Sequence, residues 1–80
     1  MVKLTTVSDV LNAVDDAVLV ARDKHGYEPY SSSHEAYGII AEEMHELMLA
    51  IHANDDEQIK KELLDVAQAA VFALASMETK

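Results

Sequence analysis

The sequence contains no cysteine and no tryptophan, and it has only two glycines and one proline among its 80 residues. Without cysteine the chain can form neither a disulfide nor a thiolate metal site, which fits a reducing compartment. A single hydrophobic core of this size is marginally stable by itself, so that a domain without disulfides depends on metal binding or self-association. We therefore expect one domain, spanning residues 1–80, that gains stability in one of these two ways.

Positively charged residues are also scarce. Six lysines and arginines stand against fifteen acidic residues, and the formal net charge is −9. Proteins that bind nucleic acids use lysine and arginine to replace the counterions of the phosphate backbone, so this composition opposes such binding. The N-terminal residues lack the unbroken apolar run that a signal peptide or a membrane span requires. We expect a soluble, cytoplasmic protein whose partners include neither nucleic acid nor a membrane.

The few helix-breaking residues are confined to one short region. Both glycines and the proline lie between residues 26 and 38, which leaves long uninterrupted stretches on either side and predicts an all-α chain of three helices. The first helix should begin near residue 6 or 8, where Thr6 and Asp9 form a capping pair, and end at His25-Gly26. Its apolar residues follow helical spacing: Val10, Leu11, Val14, Val18 and Ala21.

Serines and short acidic residues mark the other helix ends. Ser32 and Glu35 have capping-box spacing and should start a second helix that runs to about residue 53. Asn54 or Asp55 can cap a third helix that runs to about residue 77. Because the connection is so short, helices two and three should lie antiparallel.

Apolar residues cover more of the helices than a three-helix chain can bury. On helix two, a stripe that should face the core consists of Ile40, Met44, Leu47 and Ile51. Helix three is apolar around nearly its whole circumference from Leu63 to Ala75. Such a helix must be covered on several sides, so we expect a second copy to complete a helical bundle by homo-oligomerisation, most simply about a twofold axis.

Two pairs of carboxylates stand on these apolar helices. Glu43 and Glu46 flank the stripe of helix two, and Glu62 and Asp65 lie on the side of helix three that also carries alanines. Residues three apart share a helical face, so each pair can act as a two-pronged oxygen donor. An ionised carboxylate in apolar surroundings costs several kcal/mol unless it is compensated. A hard divalent cation, Mg²⁺ or Mn²⁺ in its place, would suit an all-oxygen site.

The residues alone leave a second interpretation open. Glutamates three apart are common on solvated helix faces, and Lys60 or Lys61 could neutralise part of the charge without any metal. At this level the metal site and the solvated acidic face explain the spacing about equally well.

The order of the two acidic pairs resembles a known signature. Glu42-Glu43-Met44-His45-Glu46, followed by Glu62-Leu63-Leu64-Asp65, resembles the Glu-Glu-x-x-Glu and Glu-x-x-Asp motifs of the MazG-like all-α nucleoside triphosphate pyrophosphohydrolases. The resemblance implies that the metal ligands are Glu43, Glu46, Glu62 and Asp65, with Glu42 as a helper. It also implies Mg²⁺-dependent cleavage of a nucleoside triphosphate to monophosphate and pyrophosphate, in nucleotide-pool house-cleaning, by a homodimer or homotetramer.

Several further residues are candidates for roles in this reaction. Glu43 or Glu46 could accept the proton of the attacking water, and Lys60 or Lys61 could contact the phosphates. His34 and Tyr37 are candidates for contacting the substrate. Many relatives finish the nucleotide pocket with an additional C-terminal helix, and here we expect a neighbouring subunit to supply that wall.

Three other functions compete with this prediction. A ferritin-like di-iron bundle would use Glu42 and His45 as a Glu-x-x-His pair, but helix three offers no second such pair. Phosphoribosyl-ATP pyrophosphatase carries a lysine shortly before its paired glutamates, where this chain has Ile39 and Ile40. A non-catalytic oligomerisation or adaptor module, in which helix three is the interface and the acids only confer solubility, is the main alternative from a different class.

Overall fold

A computed structural model describes residues 4–79 of the chain, with side chains for residues 6–78. Over this range the chain forms three α-helices and no strand: α1 (Leu4–His25), α2 (Ser33–His52) and α3 (Asp56–Thr79). The prediction of an all-α chain of three helices is thus confirmed for the described residues. None of these helices combines the length with the apolar character that crossing a membrane demands.

Helix α1 is longer than the sequence pattern predicted. It already includes Leu4, so Thr6 lies inside the helix and the predicted capping pair of Thr6 with Asp9 is wrong. The physical reason is that no glycine or proline interrupts the segment before His25. The predicted end is confirmed: Gly26 has a φ of 103°, and its N–H donates to the carbonyl of Arg22 at 2.7 Å. Only glycine adopts such a φ without strain.

A serine and a glutamate fix the start of α2. The Ser32 hydroxyl accepts a hydrogen bond from the backbone N–H of Glu35 at 3.1 Å, as an N-cap does. The Glu35 carboxylate accepts in return from the N–H of Ser31 at 2.7 Å, one residue before the position that a reciprocal capping box would use. The predicted cap is therefore confirmed, with this shift of its second bond.

Of the two residues predicted to cap α3, Asp55 does so, whereas Asn54 lies at the end of α2. Asn54, with a φ of 54°, ends α2, and the N–H of Asp55 donates back to the carbonyl of Ala50 at 3.3 Å, as in a Schellman motif. The Asp55 carboxylate then accepts from the N–H of Gln58 at 3.1 Å and caps α3. Three residues, 53–55, thus connect the end of α2 to the start of α3.

Helix α3 is the centre of the fold, because it packs against both α2 and α1. The loop between α1 and α2 is attached to it through Tyr30. The Tyr30 N–H donates to the Ser76 hydroxyl at 3.0 Å, and its ring meets Phe72 edge to face at 4.9 Å. This attachment brings the end of α1 and the beginning of α2 to the part of α3 around Phe72, beside a cavity that also reaches Glu43.

The single chain buries a small apolar core and leaves much apolar surface exposed. The buried apolar residues are Val14, Tyr30, Leu47, Ala50 and Ala69. The prediction that the whole stripe of α2 faces the core is wrong for the single chain, since Met44 and Ile51 are each 49 % exposed. The reason is that, among the described residues, α2 packs against α3 and not against α1. Large exposed apolar residues occur on all three helices, among them Leu11, Val20, Leu49, Leu63, Leu74 and Met77.

Candidate metal centre and adjoining cavity

The most deeply buried large side chain of the described residues is a carboxylate. Glu62 on α3 is only 1 % exposed and lies one and a half to two turns from the fully buried Ala69. Its Oε1 accepts hydrogen bonds from Gln58 Nε2 at 2.9 Å and from Lys61 Nζ at 3.2 Å. Its Oε2 is buried and has no partner among the residues described. Half of this carboxylate is therefore left uncompensated.

The pKa of Glu62 reflects two opposing influences. Burial favours the neutral acid and would raise the pKa. Hydrogen bonds from Lys61, Glu46 and Gln58 favour the carboxylate and outweigh burial, so that the pKa lies below its ordinary value. Glu62 is consequently ionised at neutral pH, as a cation ligand must be.

Two more carboxylates approach Glu62. Oxygens of Glu43, Glu62 and Asp65 all lie within 4.8 Å of one another, the first from α2 and the other two from α3. Glu43 Oε2 is also buried and has no partner in the described part of the chain. Burial, and then the negative charges of Asp65 and Glu46, raise the pKa of Glu43. Two uncompensated carboxylate oxygens thus belong to one cluster.

Glu46, the fourth carboxylate, lies at the exposed edge of this cluster. The neighbouring carboxylate of Glu62, through its accepting oxygens and then its negative charge, raises the pKa of Glu46. Its oxygens are not among the three that meet within 4.8 Å. The structure therefore brings Glu43, Glu62 and Asp65 closely together and leaves Glu46 next to Glu62 at the rim.

One lysine partly neutralises the cluster. Lys61 Nζ lies 2.9 Å from Asp65 Oδ2 and 3.2 Å from Glu62 Oε1. The hydrogen bond with Asp65, and then the one with Glu62, raise the pKa of Lys61. Lys60 instead pairs with the exposed Glu57 at 3.6 Å. Four carboxylates thus face one ammonium group, which leaves a formal excess of three negative charges.

The donor set fits a hard divalent cation. All its members are carboxylate oxygens, which Mg²⁺ and Mn²⁺ prefer. Ligand oxygens on opposite sides of Mg²⁺ are about 4 Å apart. The carboxylate oxygens of Glu43, Glu62 and Asp65 already lie within 4.8 Å of one another, so small shifts of these side chains would let them bind the ion. The buried, unpartnered oxygens of Glu43 and Glu62 are the atoms that gain most from a cation.

A cavity of about 490 Å³ adjoins the cluster. Glu43 belongs to both, and the cavity is bordered by the end of α1, the following loop, one face of α2 and Gln68 of α3. Glu42, the predicted helper, is also on its wall. The predicted substrate residues His34 and Tyr37 are exposed and are not among its lining residues; Tyr37 borders another cavity, of about 260 Å³.

Sequence reasoning missed two residues of this cavity, Arg22 and Gln68. Arg22 is the only arginine of the chain, is 8 % exposed, and lies with its guanidinium carbon 3.8 Å from the ring centroid of Phe72. Its place after Val14 and Val18, at a spacing of four, puts it on the apolar stripe of α1 and could have indicated burial. Gln68, three residues after Asp65, carried no comparable signal.

A comparison with protein families identifies the part of the chain that holds the carboxylates. The family model described as the MazG nucleotide pyrophosphohydrolase domain matches residues 32–80. The chain belongs to the MazG family. The match covers α2 and α3 and so includes all four carboxylates, whereas Arg22 on α1 precedes it. No curated protein and no solved structure matches the chain. The family resemblance found in the sequence motifs is therefore confirmed.

Proposed function

We propose that this MazG-family chain is a nucleotide pyrophosphohydrolase that converts a nucleoside triphosphate to the monophosphate and pyrophosphate with Mg²⁺, for which Mn²⁺ can substitute. One observation carries the proposal: carboxylates of Glu43, Glu62 and Asp65 converge from two helices, and two of their oxygens are buried without partners. We assign these three residues and Glu46 as metal ligands.

The proposed reaction needs charge neutralisation and an oriented water more than it needs a nucleophilic side chain. A bound divalent cation would supply neutralisation of the triphosphate and acidification of water. Glu46 is the residue we favour as the proton acceptor, because it lies exposed at the rim, next to the three carboxylates that converge. Glu43 is the second candidate. Lys61, released from Asp65, would be available to a phosphate oxygen.

The arrangement of helices and subunits forms part of the proposal. We propose that α2 and α3 run antiparallel, since Glu43 approaches Asp65 while Glu46, further along α2, bonds to the earlier Glu62. We also propose a homodimer or homotetramer, since apolar side chains such as Leu63 and Leu74 are more than half exposed in the single chain. We assign the activity to nucleotide-pool house-cleaning in the cytoplasm, where nucleoside triphosphates and Mg²⁺ occur together.

A pyrophosphate-release assay over common and modified nucleoside triphosphates, with and without Mg²⁺, tests the proposal. Wild-type protein should release pyrophosphate only with the metal, and Glu62→Gln should lose at least about 100-fold in kcat/KM, as expected when one charge-stabilising group is removed. Glu57→Gln is the matched control, because Glu57 lies on the same helix with its side chain 89 % exposed and pairs with Lys60 outside the cluster. This control should retain full activity.

The exposed apolar surface favours one other function, a non-catalytic oligomerisation or adaptor module. Such a module would keep its assembly and partner binding after Glu62→Gln, and it would release no pyrophosphate from any nucleotide. Correctly folded wild-type protein that is inactive across the whole panel with both Mg²⁺ and Mn²⁺ would therefore refute the hydrolase and leave the adaptor.

A further inference from the structure

The cavity beside the carboxylate cluster is lined by a buried cation, Arg22. Arg22 forms no ion pair with any side chain that the structure describes, although it is 92 % buried. One terminal nitrogen, Nη1, donates to the carbonyl of Gly26 at 3.3 Å, whereas Nε is buried without a partner in the described range. A buried N–H that bonds to nothing costs about 1–3 kcal/mol. Nε therefore has an unmet capacity to donate, and Nη2, which forms a fork with it, makes no hydrogen bond with the described residues.

The charge of the cavity wall limits what can bind this fork. Besides Arg22 and His25, the wall carries the carboxylates of Glu28, Glu35, Glu42 and Glu43. A phosphate placed here would be opposed by most of these charges. A neutral group that offers two adjacent acceptor atoms would satisfy the guanidinium fork without that repulsion.

Gln68 adds an acceptor to the same cavity. Its Oε1 is buried and has no hydrogen-bond partner among the described residues. Together, the Arg22 fork and the Gln68 oxygen offer two donors and one acceptor in a cavity of about 490 Å³, a volume within the range of small-molecule sites. Pro29 and Ile39 provide apolar wall for a flat ring.

We propose that Arg22 and Gln68 select the base of the nucleotide by binding an edge with two adjacent acceptors followed by a donor. Guanine presents this order as N7, O6 and N1–H, and cytosine presents it as O2, N3 and the N4 amine. Adenine, thymine and uracil have no edge with that order. The inference rests on the proposed hydrolase function, which places the triphosphate at the metal cluster. Because Glu43 belongs to both the cluster and the cavity wall, the base of that nucleotide would lie towards this cavity.

Base preference is measured as kcat/KM for dGTP, dCTP, dATP and dTTP with Mg²⁺. The wild-type protein should favour dGTP, dCTP or both over dATP and dTTP by roughly 5- to 150-fold, the range expected of one bidentate pair. The analogue 7-deaza-dGTP lacks the N7 acceptor and distinguishes the two bases: it should lose the advantage of dGTP if guanine is the base that is bound.

Two variants connect the preference to these residues. Arg22→Lys keeps the positive charge but lacks the fork, and it should reduce the preference to a few-fold. Because Arg22 also packs on Phe72, its variant could lose structure, which circular dichroism would detect. Gln68→Met keeps the volume, removes the acceptor and should reduce the same preference. Glu57→Gln should leave the preference unchanged.

Failure of this inference differs from failure of the proposed function. Turnover of all four nucleotides at similar kcat/KM, or a preference that survives in a folded variant of either residue, overturns the base-selection inference and leaves the hydrolase intact. If no nucleotide is turned over, the proposed function fails. Calorimetry with the α,β-imido analogues of dGTP, dCTP and dATP then tests base selection directly, and equal or absent binding overturns it.

Discussion

Replacing Glu62 by glutamine should separate metal binding from folding. Glutamine has nearly the shape of glutamate, its oxygen can still accept from Gln58 and Lys61, and its amide can donate to Glu46. The variant also removes one charge from a cluster in which four carboxylates face one ammonium. Without metal, the free energy of unfolding should therefore stay within about 1 kcal/mol of the wild-type value.

With metal, the two proteins should differ clearly. A ligand that binds only the folded state stabilises it by about 2.7 kcal/mol at 100 times its Kd. For a domain of 60–100 residues, each kcal/mol raises Tm by about 4–8 °C, so saturating Mg²⁺ or Mn²⁺ should raise the Tm of the wild-type protein by about 10–20 °C. The Glu62→Gln protein lacks the most buried ligand and should show less than about a quarter of this increase.

Differential scanning fluorimetry at one fixed protein concentration measures the effect, because oligomerisation also makes Tm depend on concentration. Glu57→Gln serves as the control and should show the full increase, since Glu57 is exposed and outside the cluster. An equal increase of Tm in the Glu62→Gln protein would show that the metal binds elsewhere. No increase in wild-type protein with either metal would refute the assignment of the cluster as a metal centre.

Three further predictions concern pH, the lysine of the cluster and the backbone. Metal-free protein should gain stability as the pH falls from neutral towards 4.5, the ordinary glutamate pKa, because the raised pKa values of Glu43 and Glu46 let the folded state bind protons before the unfolded chain does. With saturating Mg²⁺, which needs ionised ligands, the protein should instead lose stability as the pH falls. Urea titrations at about pH 7 and about pH 5.5, with and without Mg²⁺, measure the free energy of unfolding. The same direction of change with and without Mg²⁺ would contradict this prediction. Lys61→Met should tighten Mg²⁺ binding, measured by calorimetry, roughly fivefold or more, because one unit charge within 4 Å that competes with the metal for Asp65 is worth about 1 kcal/mol even in water. Unchanged or weaker Mg²⁺ binding would show that Lys61 does not compete with the metal. Gly26→Ala should lower the free energy of unfolding by about 1 kcal/mol, because the φ of Gly26 is 103°. Gly38→Ala, inside α2 with open space around the added methyl, should raise it by about 0.4–1 kcal/mol. Urea midpoints of the two variants that move in the same direction would contradict this prediction.

Local signals in the sequence were sufficient for the family and for the helix ends other than the start of α1. Gly26, Ser32 and Asp55 carry the conformations and hydrogen bonds that end or begin helices, and each acts within four residues of its own position. The spacing of Glu43 and Glu46, and of Glu62 and Asp65, placed each pair on one helical face. Such properties depend on neighbours along the chain, so they can be predicted without knowing how the helices pack.

Only the tertiary structure decided which of these groups meet. Glu43 reaches Glu62 and Asp65 while Glu46 remains at the rim, because the distance between α2 and α3 depends on the side chains of both helices. The burial of Arg22 has the same origin, since Phe72, from a distant part of the chain, covers it together with Tyr30 of the following loop. Helical periodicity gives the direction of a side chain around its own axis. It does not give the distance to a neighbouring helix, and that distance determines whether carboxylates repel one another in solvent or converge on a cation.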